Sequence, residues 1–312
     1  MKKVFLILPI IFLILLTGCF ASKVNDAQVK VAESTNENAT ENEKPSEVVK
    51  ESISETKEKT AKTYDYFATY DTEIKEEVEN EIASAKSLQD EIDKVKKIAD
   101  KYIEASSGAN TQGEMNFSSA WAYTVWDTEL NNLWKRISDS ADKERKQLLL
   151  DEQRNWIAMK EEVVRINLGN KEDGGSIYPM LQNQFLAEIT HNRCCVLARE
   201  LAIIKHEDFV MPTRSKYGTY VDNQGTKSVY SSIVTRKNVE NDDEAIISIY
   251  RVGTTEGTFT ESSNGDLIYT SYDEKVKGII QIYGWEKAIF DVTESKDSPL
   301  AVGDKFTFDF AF

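Results

Sequence analysis

Apolar positions recur at steps of three and four along the middle of the chain, with charged side chains between them, a spacing typical of amphipathic helices. Short polar segments rich in Ser, Asp, Asn and Gly divide this pattern into four predicted helices. They cover residues 64–104, about 111–138, about 142–168 and about 179–205. The pattern therefore predicts an all-α helical bundle within residues 61–207.

Apolar and polar residues alternate from about residue 208 onward, as in half-buried β-strands. About eight β-rich segments are separated by Asn, Asp, Gly and Ser turns. The predicted fold class is α + β as separate domains, the helical bundle followed by an antiparallel β-barrel or sandwich at 208–312. The last segment is predicted to be one strand with a buried phenylalanine face. Aromatic residues expected mainly in the core are Tyr250, Phe259, Tyr269, Tyr283, Trp285 and Phe290.

The third predicted helix indicates which of its side chains face the core. Leu149, Trp156 and Met159 lie at positions i, i+7 and i+10, and Val163 follows at i+14, so all four share one face. Trp156 is therefore predicted to be a core residue, with exposure as a binding residue as the alternative. Gln153 lies on the same face, and we expect its buried amide to hydrogen-bond with a neighbouring helix or loop.

The first residues have the pattern of an export signal. Lys2 and Lys3 precede an apolar run at 4–16 that is too short to span a membrane, and Leu16-Thr17-Gly18-Cys19 resembles the lipobox of bacterial lipoproteins. Residues 1–18 are predicted to be a lipoprotein signal peptide, and Cys19 the attachment site of acyl chains such as palmitate. The expected location is the cell membrane, lipid-anchored on its extracytoplasmic side. A secreted protein with an unmodified Cys19 is the alternative.

Composition distinguishes the next segment from the folded chain. Residues 21–59 are rich in Glu, Lys, Asn, Ser and Thr and lack aromatic side chains, so 19–60 is predicted to be a disordered tether. The whole chain has 53 acidic and 38 basic side chains, a formal net charge of −15. This balance disfavours nucleic acid and anionic lipid headgroups as partners and favours a cationic protein.

A glycine-containing segment, GNKEDGGSIYP, joins the third and fourth predicted helices. A phosphate-binding loop is disfavoured, because no predicted strand precedes it and no Gly-Lys-Ser/Thr follows it. Gly174 and Gly175 are expected to supply positive φ angles, Ser176 to cap the next helix, and Pro179 to lie in its first turn.

Four short motifs in the helical region carry a resemblance to a known family. They are Glu129-Leu130-Asn131, Gln153-x-x-Trp156, Gly174-Gly175-Ser176-Ile177-x-Pro179-Met180 and Leu186-Ala187-Glu188-Ile189-Thr190-x-x-Arg193. Over about residues 111–205, they resemble the domain of the lysozyme-inhibitor-like bacterial lipoproteins of the LprI N-terminal type. The resemblance implies a small, exported, non-enzymatic all-α domain that inhibits lysozyme in at least part of the family. It implies structural roles for Leu130, Asn131, Gln153, Trp156, Gly174, Gly175, Thr190 and Arg193.

The chain departs from this family at two cysteine positions, which are occupied by Val164 and Phe185. The resemblance implies that apolar packing replaces a disulfide there. The adjacent Cys194 and Cys195 diverge by about 100° on a helix and cannot readily bridge each other. They are predicted to be two buried thiols, with a redox or intermolecular role as the alternative. No metal-ligand spacing and no cofactor motif is present, so neither group is expected.

Two hypotheses of different class follow, and neither is an enzyme, because the sequence has no recognisable catalytic motif. In the first, a lipid-anchored binding protein inhibits lysozyme or another cationic cell-wall hydrolase. The candidate interaction loop is 170–177, with Glu172 and Asp173 as its acidic residues and simple chain reversal as the alternative role. In the second hypothesis, an envelope lipoprotein binds a small ligand or a surface component through its β-domain.

Overall fold

The computed structural model of the chain describes residues 63–312. The predicted signal peptide, Cys19 and the predicted tether lie outside these residues. Helices occupy the first half of the described chain. They are α1 (Asp71–Ser84), α2 (Leu88–Ser106), α3 (Gln112–Ser118), α4 (Ala120–Ser140), α5 (Lys143–Leu168) and α6 (Tyr178–Lys205), with a short 3-10 helix at Gly175–Ile177.

The prediction of one long helix over 64–104 is wrong in two respects. Residues 64–70 precede α1 without forming a helix, and α1 ends at Ser84. Ala85 has extended backbone angles, and the Ser87 side chain caps α2 by accepting a hydrogen bond from the Asp90 N–H at 3.2 Å. A serine side chain in this position satisfies a free N–H group of the new helix, which stabilises the break.

The later helices lie close to their predicted bounds. The second predicted helix is divided only at Ser119, which keeps right-handed helical angles between α3 and α4. The predicted polar break before the third helix contains Asp142, whose side chain caps α5 by accepting from the Arg145 N–H at 2.8 Å. Each of these later helices has a continuous apolar stripe, and the spacing of that stripe alone predicts where the helix lies.

Helices α2, α4, α5 and α6 contribute buried residues to one hydrophobic core. Asn183 of α6 contacts Ser119 at the start of α4, and Cys194 contacts Trp126 further along, so these two helices are parallel. On α5, Lys160 contacts Tyr123 and Lys146 reaches Ser138, which makes α5 antiparallel to α4. The bundle interior is built from the predicted apolar stripes, and Leu149, Trp156, Met159 and Val163 are all buried.

Nine antiparallel strands follow the helices. They are β1 (Gly218–Asp222), β2 (Ser231–Lys237), β3 (Asp243–Ile249), β4 (Gly253–Glu261), β5 (Leu267–Ser271), β6 (Val276–Tyr283), β7 (Lys287–Ser295), β8 (Lys305–Phe308) and β9 (Phe310–Ala311). Their order in the sheet is β8-β7-β6-β5-β4-β3-β2-β1-β9. Because β8 and β9 are consecutive in the chain but lie at opposite edges of that order, the sheet curls into a nearly closed barrel. The predicted fold class is confirmed, with the barrel rather than the sandwich.

The last predicted strand is in fact two strands that bury their aromatic rings in different places. β8 pairs with β7, whereas β9 pairs with β1, and Asp309 separates them. Phe308 is buried in the barrel, while Phe312 is buried against the helices. The expectation of one strand with one buried face is therefore wrong, because the two halves of the segment pair with different strands.

The barrel interior is filled with side chains, including Phe259, Tyr269 and Phe290. The expectation for the other aromatic residues is not met, since Tyr250 and Tyr283 are 42% and 45% exposed. Trp285 is half-buried, and its ring N–H donates to the Pro212 carbonyl at 2.8 Å. Half of these aromatic residues therefore form the core, and the rest lie at the surface of the barrel.

Residues 64–312 form one compact unit. The Trp156 and Phe312 rings stack with centroids 6.1 Å apart, and Asn167 of α5 donates to the Thr219 hydroxyl at 2.9 Å. Arg236 of β2 donates to the Asn167 carbonyl at 3.1 Å. Helix α5 thus contacts the barrel directly, and the predicted domain boundary at 207/208 stays a prediction.

Candidate functional site at one end of the bundle

The candidate interaction loop begins where α5 ends. Gly169 has a φ of 78°, which ends the helix, and a turn at 171–173 leads into the 3-10 helix. Gly175 has the expected positive φ, 62°, but Gly174 does not, at −81°. Ser176 provides no side-chain cap, since α6 begins after Ile177 without one. Pro179 lies in the first turn of α6, as expected.

Gly174 is needed for close packing rather than for a special backbone angle. A Cβ atom at this position would collide with the Tyr178 ring. The Tyr178 hydroxyl in turn donates to the Gly169 carbonyl at 3.3 Å, across the base of the loop. Asn116 of α3 donates from its side-chain amide to the Ser176 carbonyl at 2.8 Å. The loop is therefore fixed at both of its ends.

The tip of the loop is acidic and open to solvent. Glu172 and Asp173 are both exposed. The Asn170 side-chain amide donates to the Asp173 carboxylate at 3.1 Å, and the Asp173 N–H donates to the Asn170 carbonyl at 3.1 Å. Burial, assisted by the charge of Glu172, raises the pKa of Tyr178. The two carboxylates are thus presented on a structured turn.

A groove of about 270 Å³ lies beside the loop. Asn116, which holds the loop, also lines the groove, together with Asp71 of α1, Phe117 of α3 and Asn183 of α6. Residues from four separate segments meet here, because α3, the first turn of α4 and the first turns of α6 lie at the same end of the bundle. The loop and the groove form one continuous candidate site.

Two aromatic rings beside this groove were not predicted as site residues. Phe67 is 57% exposed and Phe117 is 40% exposed, and their rings meet edge to face with centroids 6.0 Å apart. Neither phenylalanine belongs to the apolar stripe of its predicted helix. An aromatic residue outside such a stripe is expected at the surface, and this could have marked both as candidate site residues. Exposed neighbouring aromatic rings often mark interaction surfaces.

The floor of the groove is rigid. Trp121 is buried, and its indole N–H donates to the Ala68 carbonyl at 2.8 Å. The Tyr70 ring meets the Trp121 ring edge to face at 5.2 Å, and the Tyr66 ring stacks on it at 6.1 Å. These contacts hold the segment before α1 against the start of α4. The groove therefore has a fixed shape.

Several residues of the four sequence motifs meet between α5 and α6, away from the loop. Arg193 is buried, and its Nε donates to the Gln153 side-chain carbonyl at 2.8 Å, the helix-to-helix hydrogen bond expected of Gln153. Burial lowers the pKa of Arg193 to about 10. Trp156 and Thr190 are buried nearby on the same two helices, at 1% and 0% exposure. These side chains are placed to hold the bundle together.

The remaining motif residues lie on α4. Leu130 is buried, whereas Asn131 is exposed and donates to the Asp127 carbonyl of its own helix at 2.7 Å. Glu129 is fully buried beside Arg136, which also forms an ion pair with the buried Glu91 of α2. Burial, together with the charge of Glu91, raises the pKa of Glu129 well above its usual range.

This buried pair of carboxyl groups was missed, although a signal for it exists. Glu91 follows Leu88 by three residues and Glu129 follows Trp126 by three, so both occupy positions within the apolar stripes. A carboxyl group on the buried face of a helix requires a partner. Arg136 supplies it here, because its guanidinium donates to Glu91, with one of the two bonds at 2.8 Å.

The two adjacent cysteines are both buried and free. The Cys194 thiol donates to the Trp126 carbonyl at 3.4 Å, and Cys195 lies 3.5 Å from the His191 ring. Burial raises the pKa of both thiols, to about 12 for Cys195, and lowers the pKa of His191 to about 4. Thiols with such raised pKa values are poor nucleophiles at neutral pH, which favours the packing interpretation.

The two positions at which the resemblance implies family cysteines are apolar here. Val164 is buried, and Phe185 is half-buried and packs against the helical core. Within residues 63–312, no group of three or more Cys, His, Asp or Glu side chains could hold a metal ion. In the same range, no helix has both the length and the apolar character needed to cross a membrane.

A second, larger cavity of about 440 Å³ lies against the barrel. It is lined by residues of β4, of the turn after β5 and of the segment after β7, including Glu256, Tyr272, Lys275 and Ser298. The barrel interior itself is packed with the aromatic and aliphatic side chains described above. Any ligand of the β-rich part would therefore bind outside the barrel core.

Comparison with known protein families gave a match within the helical region. Residues 103–197 match the family described as Lysozyme inhibitor LprI. This LprI region contains the interaction loop, the whole of α3, α4 and α5, and most of α6. It leaves out the segment before α1 with Phe67, α1 with Asp71, most of α2, and the barrel.

The match covers the motifs that carried the resemblance, from Glu129 to Arg193, but at 103–197 it begins and ends about eight residues before the predicted bounds of about 111–205. Comparisons with curated proteins and with solved structures gave no significant match. The family assignment thus applies to the LprI region, whereas the barrel is characterised by its own structure.

Proposed function

We propose that this protein is a lipid-anchored, extracytoplasmic binding protein that inhibits lysozyme or a related cationic cell-wall hydrolase and has no catalytic activity of its own. The observation that carries the proposal is the match of residues 103–197 to a family described as lysozyme inhibitors. The buried motif residues support it, because they hold together the bundle that presents the loop.

The loop at 170–177 is the proposed inhibitory element. Its ends are fixed by the Tyr178 hydroxyl and by the Asn116 side chain, so the loop loses little conformational entropy when it binds. Its exposed tip carries Glu172 and Asp173, which suit a cleft or surface of positive charge. A rigid acidic turn of this kind can enter the cleft of an enzyme without first being ordered.

The distribution of charge supports a cationic target. Residues 1–62 contain nine acidic and nine basic side chains, so the whole net charge of −15 belongs to residues 63–312. An excess of this size attracts a cationic enzyme over a distance of about 8–10 Å at physiological salt and raises the association rate. The same excess disfavours nucleic acid as a partner.

The proposed location rests on the sequence of the first nineteen residues. Acyl chains on Cys19 would anchor the protein, since several buried chains together give stable membrane attachment where one does not. The segment at 19–60 would then carry the folded part away from the membrane surface, toward an enzyme that approaches the cell wall.

An inhibition assay with loop variants tests the proposal. The full chain, purified in nonionic detergent, is compared with the Glu172→Gln/Asp173→Asn variant, which removes two charges while keeping side-chain shape. A matched control, Glu240→Gln/Glu286→Gln, removes two charges from exposed positions of the barrel. We expect lysozyme inhibition at physiological salt to fall by at least tenfold for the loop variant and to change less than twofold for the control.

The salt dependence separates specific inhibition from general charge attraction. If no inhibition is found even at low salt, the proposed function is wrong. If inhibition appears only at low salt and both variants weaken it equally, the attraction is nonspecific, and the loop has no special role.

The alternative function, recognition of a small ligand or surface component through the β-rich part, is supported by the 440 Å³ cavity beside the barrel. Ser298→Trp would fill this cavity. Under the proposed function, lysozyme inhibition should be unchanged in this variant, whereas loss of inhibition would favour the barrel as the binding surface.

A further inference from the structure

Most side-chain N–H groups of the groove beside the loop are already in hydrogen bonds within the protein. The Trp121 indole N–H donates to the Ala68 carbonyl, and the Asn116 amide donates to the Ser176 carbonyl. The Asn183 amide donates to the Asn116 carbonyl at 3.1 Å and to the Ser119 hydroxyl at 3.0 Å. The groove therefore offers a ligand few N–H donors, namely the second N–H of the Asn116 amide, beside the Thr69 hydroxyl.

Acceptors, in contrast, remain open. Within residues 63–312, the Asp71 carboxylate forms no ion pair or side-chain hydrogen bond, and the Asn183 side-chain carbonyl accepts none. Both residues line the groove. Asp71 is also exposed to solvent at the start of α1. The occupant that completes these hydrogen bonds must supply N–H or O–H groups, and a positive charge on it, which an N–H donor of a lysine or arginine brings, would be matched by Asp71.

The wall of the groove is aromatic. Phe117 and Trp121 line it, and Phe67 meets the Phe117 ring edge to face. The face of an aromatic ring attracts a cation within about 6 Å of its centroid, and its apolar surface also packs against the alkyl stem of a lysine or arginine. Carboxylate, amide carbonyl and aromatic ring together match the chemistry of an alkylammonium or alkylguanidinium group.

The negative charges around the groove favour a positively charged ligand. Helix α1, which begins at Asp71, carries six carboxylates and one lysine. Of its other acidic residues, Glu77 is paired with Lys101 and Glu79 with Lys75. Within the described chain, Glu76 is exposed and forms no ion pair, and so it adds to the negative potential without lining the groove.

We propose that the groove formed by Asp71, Phe117 and Asn183 binds a lysine or arginine side chain that projects from a cationic protein. The proposal rests on the proposed function for the identity of that protein, but not for the chemistry of the groove. It adds a second contact beside the acidic loop, and it extends the interaction surface beyond the LprI region to α1.

Surface plasmon resonance on the full chain in nonionic detergent tests this proposal with two kinds of probe. One is lysozyme, either native, acetylated at its lysines or blocked at its arginines. The other is a pair of peptides, hexalysine and hexaarginine. The variants are Asp71→Asn and Phe117→Ala, and the matched control is Glu76→Gln, which removes the same charge from the same helix outside the groove.

At physiological salt we expect Asp71→Asn to weaken binding by about tenfold, as the loss of a charge-assisted hydrogen bond does. Phe117→Ala should weaken binding by about threefold or more, and Glu76→Gln by less than twofold. Only one of the two chemical modifications of lysozyme should reproduce the loss, and this identifies the cation as lysine or arginine. Circular dichroism on each variant establishes that the helices are intact.

The outcomes separate this proposal from the proposed function. If lysozyme does not bind but a peptide binds in an Asp71-dependent manner, the groove proposal holds and the lysozyme target is wrong. If Asp71→Asn and Glu76→Gln have equal effects on every probe, the groove proposal is overturned. The same conclusion follows if the loop variant abolishes lysozyme binding while Asp71→Asn and Phe117→Ala leave it unchanged.

Discussion

The hydrogen bond between Gln153 and Arg193 gives the sharpest prediction about the bundle. Arg193 is 6% exposed, and among residues 63–312 its one direct hydrogen bond is donated from Nε to the Gln153 carbonyl. The nearest carboxylate, that of Glu152, lies 3.9 Å away. Gln153→Leu keeps the side-chain volume roughly constant but leaves a buried cation without its acceptor.

The magnitude follows from the charge of the donor. A hydrogen bond to a charged group contributes about 1.5–3 kcal/mol, so Gln153→Leu should lower the free energy of unfolding by this amount. Arg193→Met leaves a neutral buried amide unsatisfied and should cost about 1–3 kcal/mol. The double variant replaces both partners by apolar groups, which is often nearly neutral. With a near-neutral double variant, the coupling energy equals the sum of the two single costs, about 2.5–6 kcal/mol.

Urea unfolding of the four proteins, followed by far-ultraviolet circular dichroism and by tryptophan fluorescence, measures this coupling. If the free energy of unfolding falls with urea concentration at the same slope in all four proteins, they expose the same amount of surface on unfolding. Asn131→Ala is a suitable control, because Asn131 is an exposed amide on α4 and its removal should change stability by less than about 0.5 kcal/mol. Additivity of the two single substitutions, within about 0.5 kcal/mol, would refute the assignment of this pair as a structural contact.

Three further predictions follow from individual residues. Trp156→Ala should cost about 3–5 kcal/mol of unfolding free energy, since the ring is buried and stacks on Phe312, and a near-neutral value in urea unfolding would place Trp156 on the surface instead. Folding raises the pKa of Glu129 above its unfolded value of 4.5, because the buried carboxyl group stays neutral. Its contribution to stability is therefore complete below pH 4.5 and is lost as the pH rises through the folded pKa. Glu129→Gln should therefore gain stability relative to the parent between pH 4 and pH 8, and parallel pH profiles would contradict this. Cys19→Ser should release the protein from membranes, and a variant that stays membrane-bound after a salt wash, or still carries a lipid by mass spectrometry, would contradict the anchor.

Helical spacing predicts which side chains share a face, and this is why the burial of Trp156 and the inward position of Gln153 were accessible from the sequence. The break between α1 and α2 was not, because Val78, Ile82, Ala85 and Leu88 continue the apolar stripe across it. That break depends on the extended backbone at Ala85 and on the Ser87 cap. Both are features of single residues, and the spacing of apolar residues over several turns does not reveal them.

The groove could not be predicted from spacing. Asn116 and Asn183 meet through a hydrogen bond although they are 67 residues apart in the chain. The division of the last strand is hidden for a related reason, because the alternation of phenylalanines continues unchanged through Asp309. A period of two shows that a strand has two faces, but it does not show which neighbour each part of the strand will pair with.

Hydrogen exchange on the full chain, alone and saturated with lysozyme at physiological salt, tests most directly whether the loop and the groove form the interaction surface. We expect exchange to slow in the loop at 170–177 and in the segments that border the groove, around Phe67 to Asp71 and Asn116 to Trp121. Slower exchange confined to the barrel strands, or no change at all under conditions in which lysozyme is inhibited, would contradict this account.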